Sequence, residues 1–128
     1  MKNAKGSDEQ PRDILARTFE FAARVIKLCG TLDERPGVGR IMMSQILRAA
    51  TSVPSNIEEA QAAQSKADFV SKMSIALREA RETHLRVRLL ATDNIIPERQ
   101  LDPLTKEADE IKRVIGAIIV STKRNDAG

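Results

Sequence analysis

Residues 65–92 read SKADFVSKMSIALREARETHLRVRLLAT, and their core-type residues return every three or four positions: Phe69, Met73, Ala76, Ala80, Thr83, Val87 and Leu90. At about 100° per residue this spacing gathers all of them on one face of a helix. Ser65 with Asp68 three residues later has the form of a capping box that opens the helix, and Asp93-Asn94 closes it. With a rise of about 1.5 Å per residue, the element is roughly 40 Å long. An amphipathic helix of that length is stabilised by other helices that cover its apolar face.

Three further segments supply that cover. Upstream, residues 40–64 carry Met42, Ile46, Ala49, Val53, Ile57 and Ala60 at helical spacing, with Pro54 in their midst. Proline has no backbone donor and clashes with the carbonyl of Ala50. Ser55 and Glu58 could cap a fresh segment, but the apolar spacing stays in phase from Val53 to Ile57, which favours one kinked helix. Before it, Ile14, Leu15, Phe19, Ala22, Val25, Ile26 and Cys29 share one broad face of a helix over about 11–29. Gly30 is its C-terminal stop, and Thr31 to Gly39, with Pro36-Gly37, is a loop. Downstream, Ile95 to Leu101 is a connection containing Pro97, and Asp102 is an N-cap with Pro103 as the first helical residue. The seam of the fourth helix is Leu104, Ala108, Ile111, Ile115, Ile118 and Thr122.

Four helices of similar length with short connections predict an all-α, antiparallel up-down four-helix bundle over residues 11–122. Residues 1–10 are read as a flexible N-terminal tail and 123–128 as a flexible C-terminal one. No internal repeat points to a helical array. The 128-residue length suits a single domain. Three Phe with no Tyr or Trp also favour helices over strands.

Several chemistries are excluded by residue type. One Cys and one His leave no disulfide and no metal site built from several thiolates or imidazoles. Cys29 sits in an apolar run and reads as a core residue. His84 has Arg81, not Glu, three residues before it, so the Glu-x-x-His pattern of di-metal bundles is missing. Pro36-Gly37-Val38-Gly39 fits neither the P-loop nor the dinucleotide fingerprint. The reading is therefore not an enzyme, with no cofactor and no metal. No apolar run approaches the roughly 18 residues of a membrane span, and Met1 to Gln10 lacks a signal-peptide core, so the expected setting is cytoplasmic.

What remains lies on helix surfaces. Ile75, Leu85 and Leu89 project nearly opposite the seam of the third helix, as Val120 does on the fourth. Several apolar residues on one outer stripe point to a subunit contact and a homo-oligomer. On the second helix Arg48, Ser52, Asn56 and Glu59 line one side and join the interface candidates. Glu79 and Glu82 could pair with Arg48, or with Arg78 and Arg86, setting register more than stability. Residues 61–92 hold six cations against three anions, an excess equal to the +3 of the whole chain. Within them Arg78, Arg81 and Arg88 fall on one quarter of the helix and could follow a phosphate backbone of RNA or DNA. No aromatic residue stands near them to stack a base.

The run Ser44-Gln45-Ile46-Leu47-Arg48-Ala49-Ala50-Thr51-Ser52-Val53-Pro54-Ser55-Asn56-Ile57-Glu58-Glu59-Ala60 resembles the marker segment of the bacterial four-helix-bundle proteins associated with intervening sequences of large-subunit ribosomal RNA genes. Residues 64–69 and 75–83 resemble the next helix of that family, and the likeness spans about 12–122. It implies a bundle that assembles into a ring, usually a homopentamer, without known catalytic activity. A related accessory protein of diversity-generating retroelements binds nucleic acid and a reverse transcriptase through its basic surface. Two departures from the pattern stand out: Ala60 is found where the family usually has Gly, and Leu85-Arg86 where related members often carry an aromatic pair. The expectation is a non-enzymatic oligomeric scaffold or accessory protein with phosphate contacts at Arg78, Arg81 and Arg88. Its first rival is a purely structural or protein-binding module whose arginines serve internal salt bridges; the second is an enzyme with a site formed between subunits, which a deep shared pocket holding His84 beside a carboxylate would mark.

Overall fold

Pro11 has the fixed φ that suits a first helical residue, and from it runs α1 (Pro11–Leu32), followed by α2 (Val38–Gln61), α3 (Lys66–Thr92) and α4 (Glu98–Ala127). The structure, a computed structural model, describes residues 11–32, 37–92 and 96–127. Among these there is no strand, and the fold is all-α. The tail expected at 1–10 and the stop expected at Asp93-Asn94 lie outside the described residues.

Each helix packs against its neighbours in sequence, and α1 also packs against α4. Ile14, Val25, Ile46, Ile57, Met73, Leu90 and Ile115 are fully buried where the four meet. Each such side chain contributes on the order of 1.5–3 kcal/mol by leaving water. Two buried hydroxyls sit among them without loss of hydrogen bonding. Thr18 donates to the carbonyl of Ile14 at 2.8 Å and Thr83 to that of Glu79 at 2.8 Å.

The expected seams hold on α2, α3 and α4 at Ile46, Val53, Ile57, Met73, Ala80, Val87, Ile111 and Ile115, all buried. α2 runs unbroken through Pro54, which is itself buried. The burial of Val53 and Ile57 on either side outweighs the roughly 3 kcal/mol that an interior proline costs. Gly37 precedes α2 with φ +99°, a left-handed conformation that favours glycine, and its carbonyl accepts from the backbone N–H groups of Arg40 and Ile41. At the start of α3, the Asp68 N–H donates to Ser65 Oγ at 3.0 Å, as the capping box requires. The Asp68 carboxylate, however, accepts from the N–H of Gln64 at 3.4 Å, one residue before the cap.

Several boundaries and faces differ from those expected, among them the start of α2, which is at Val38 and not Arg40. α1 passes through Gly30 to Leu32, since nothing at Gly30 obliges the chain to turn. Met43, not Met42, is the buried methionine of α2. α4 begins at Glu98, so Pro103 lies inside it and Asp102 pairs with Lys106 at 3.1 Å instead of capping. Burial of Ile96 and Leu101 draws that extra turn into the helix, while a proline so near the helix start forfeits one bond. At the other end α4 continues to Ala127, past the tail expected from 123.

The largest difference is on α1. Phe19 is 69 % exposed and Ile26 54 %, whereas Phe21 is buried. The apolar arc of α1 is wider than one core can use. The bundle takes the Ile14, Thr18, Phe21 and Val25 side and leaves Leu15, Phe19 and Ile26 on its flank.

Candidate functional site

The outer face of α3 carries Arg78, Arg81, Leu85, Arg88 and Leu89, all exposed. None of the three arginines makes an ion pair among the described residues; Arg88 Nε reaches only the carbonyl of His84, at 3.4 Å. Ile75, the third apolar residue expected on this stripe, is half-buried.

On one side of that face, α3 meets α2 through a paired cluster. Arg48 donates to Glu82 at 2.7 Å and to Glu79 at 3.4 Å, and Arg86 donates to Glu82 at 2.8 Å. Glu79 is buried beneath Arg48. Burial raises the Glu82 carboxyl, but hydrogen bonds from Arg86 and Arg48 outweigh it and hold the pKa below the usual carboxylate range. The same hydrogen bond from Arg48 to Glu82, together with the charge of Glu79, raises the Arg48 guanidinium. Further along α2, the Asn56 side-chain amide donates to the Ser52 carbonyl at 2.9 Å and to its hydroxyl at 3.0 Å. Arg48, Ser52 and Asn56 are therefore engaged within the chain, and Glu59 is exposed.

On the other side, α3 meets α4 at His84, which is buried. Lys112 Nζ lies 3.1 Å from His84 Nδ1, so that nitrogen is the acceptor and Nε2 carries the proton, facing Asp109 Oδ1 at 3.9 Å. Burial, then the charges of Lys112 and Arg88, push the imidazole pKa below its ordinary value, against the pull of Asp109. Asp109 also pairs with Lys112 at 3.5 Å and Arg113 at 3.1 Å. The basic surface thus extends from α3 to Lys112 and Arg113 of α4, residues the sequence reading left out. Their three- and four-residue spacing from Asp109 marks them as one helical cluster, but its apposition to Arg88 needs two helices in place.

A second feature absent from the sequence reading is a groove of about 750 Å³ between α1 and α2, lined by Leu15, Phe19, Ala23, Ile26 and Pro54 among others. At the end of α1, Cys29 Sγ contacts the Met43 carbonyl at 3.9 Å, and burial raises its thiol pKa, as suits a packing residue. Opposite, Arg17 joins α1 to α4 through Glu107 at 2.6 Å and Glu110 at 3.5 Å. Among the described residues, no group of three or more His, Cys, Asp or Glu is arranged to hold a metal, and no helix is long and apolar enough to cross a membrane.

A sequence profile of the 23S rRNA-intervening sequence protein family matches residues 11–117, which take in α1, α2, α3 and the first two thirds of α4. The chain belongs to that family. A crystal structure of a protein with unknown function from the S23 ribosomal protein family of Bacteroides thetaiotaomicron is similar at a TM-score of 0.78 and 36% identity, over 85% of this chain and 96% of that one. No curated protein matches. Within this intervening-sequence family member, the residues that depart from the expected pattern have distinct surroundings. Ala60 is buried, where a methyl is accommodated, and Arg86 holds Glu82, while Leu85 stands 48 % exposed beside it.

Proposed function

We propose that this chain is a non-enzymatic, oligomeric helical-bundle scaffold or accessory protein of the cytoplasm that binds the phosphate backbone of RNA or DNA through α3. The observation that carries the reading is the outer face of α3, where Arg78, Arg81 and Arg88 are exposed and lack carboxylate partners. A cation already held by a carboxylate must give up that pair to bind phosphate, as Arg48 and Arg86 would; these three need not. Lys112 and Arg113 enlarge the positive field, with Asp109 their shared anion. The helices are antiparallel up-down neighbours in this reading: Cys29 lies by Met43, and Leu15 shares a groove with Glu58. The bundles assemble into a ring, a pentamer by family likeness. A ring repeats the arginine face at each subunit and multiplies its affinity for a long polyanion.

A salt titration of RNA and DNA binding tests this. We expect binding at low salt that weakens steeply as salt rises, with a log–log slope of about −2 to −3 for three phosphate contacts per subunit. Arg81→Glu should weaken binding on every sequence alike. Absence of binding at low salt, or binding indifferent to Arg81→Glu, would discard it in favour of a purely structural or protein-binding module. That second reading is favoured by the exposed Phe19, Ile26, Leu85 and Leu89.

A further inference from the structure

The α1–α2 groove and the outer stripe of α3 are both apolar, both open, and opposite in charge. Phe19 and Ile26 in the groove are 69 % and 54 % exposed, and Leu85 and Leu89 on the stripe are each 48 % exposed. The charged residues that line the groove are Glu20 and Glu58, with no cation among them. The stripe continues along the same face of α3 to Arg78. We infer that copies of this chain join head to tail, with Leu85 and Leu89 of one copy seated in the α1–α2 groove of the next and Arg78 against its acidic rim.

This contact rests on the oligomeric reading above and specifies the faces that meet. The backbones of α1 and α3 are not neighbours; the two helices occupy opposite corners of the bundle. One two-fold contact therefore covers one patch and leaves the other in water. Groove against groove would set Glu20 and Glu58 against their own copies, and stripe against stripe would do the same to Arg78. The head-to-tail contact covers both patches and pairs acid with base. Its dimensions agree. Leu85 and Leu89 are one turn apart, about 6 Å of rise, and Phe19 and Ile26 span about 10 Å, so the stripe fits within the groove's length. Arg81 and Arg88 lie on the α4 side of the stripe and stay outside the contact, open to a polyanion; with Arg78 taken up by the contact, the assembly keeps two of the three phosphate contacts per subunit that the single chain offers.

The test is light scattering and sedimentation of the full chain at tens of micromolar, with circular dichroism to confirm helicity. The wild type should form an assembly larger than a dimer. Phe19→Glu alone, and Leu85→Glu with Leu89→Glu, should each give monomers. Mixed in equal amounts, the two variants should form a heterodimer and nothing larger, because one groove and one stripe survive between them. The exposed pair Glu58→Arg and Arg78→Glu gives an arm that spares the apolar residues. Each alone should weaken assembly about tenfold or more, and the two in one chain should restore it. A monomeric wild type would overturn this contact together with the oligomeric reading. A wild-type assembly that persists in either apolar variant, mixed variants that stay monomeric, or a charge swap without restoration would overturn the contact alone.

Discussion

The two flanks of α2 were built by opposite means. Toward α3 the flank is polar and closed: Arg48 spans Glu79 and Glu82, and Asn56 folds back on Ser52. Toward α1 it is apolar and open, with Pro54 facing the groove that Phe19 and Ile26 line. Polar residues at helical spacing suggest a surface waiting for a partner, yet here they find partners in the same chain. Apolar residues at the same spacing suggest a core, yet Phe19 and Ile26 of α1 are left outside it. A hydrogen bond needs one well-placed neighbour, which the adjacent helix supplies. A wide apolar arc needs more cover than four helices give.

The difference can be broken from either flank. Phe21 and Phe19 are two residues apart on α1 and only Phe21 is buried, so Phe21→Ala should lower unfolding stability by about 3–5 kcal/mol in urea titrations. A loss under about 1 kcal/mol would move the core boundary. Next in size, Gly37→Ala forces a side chain into a positive-φ position at the start of α2 and should lower stability by about 1–2 kcal/mol, read from the thermal midpoint. On the closed flank, Arg48→Ala strips Glu79 and Glu82 of a shared partner, and a drop in thermal midpoint smaller than that of Gly37→Ala is expected. A double-mutant cycle with Glu82→Gln would show whether that drop belongs to the pair.

The α3–α4 seam gives a pH signature of its own. The folded pKa of His84 lies below its unfolded value, so the neutral ring's contribution to stability is complete above about 6.5 and is lost as pH falls from there toward the folded pKa. Thermal midpoints between pH 8 and 5 should drop in the wild type and drop less in His84→Gln; equal slopes would remove His84 from the account. The smallest effect is expected at Phe19. In solutions dilute enough to hold single chains, Phe19→Ser should change stability by under about 0.5 kcal/mol, since the ring is already in water.

Much of this was legible in the chain. Ile46, Val53, Ile57, Met73, Ala80, Val87, Ile111 and Ile115 repeat at the helical period, and a period needs no knowledge of neighbours. Ser65 and Asp68 mark the start of α3 because capping is local. The pairing of Glu79 and Glu82 with Arg48 was one of a few arrangements the sequence allowed, and geometry selected it. Gly30 and Pro103 misled for one reason: each permits a helix to end or begin there, but the packing around it decides whether it does. The half-buried contact of His84 with Lys112 joins positions 28 residues apart, beyond any local pattern.

The sequence by itself determined four amphipathic helices, the family, and a positive excess concentrated in 61–92, because periodicity, motif and charge are properties of the order of residues. Only the tertiary structure decided which edge of each apolar arc faces inward. Phe19 and Phe21 are the same residue type on the same helix, and the choice between them depends on where α2 and α4 stand, which is set by all four helices packing at once.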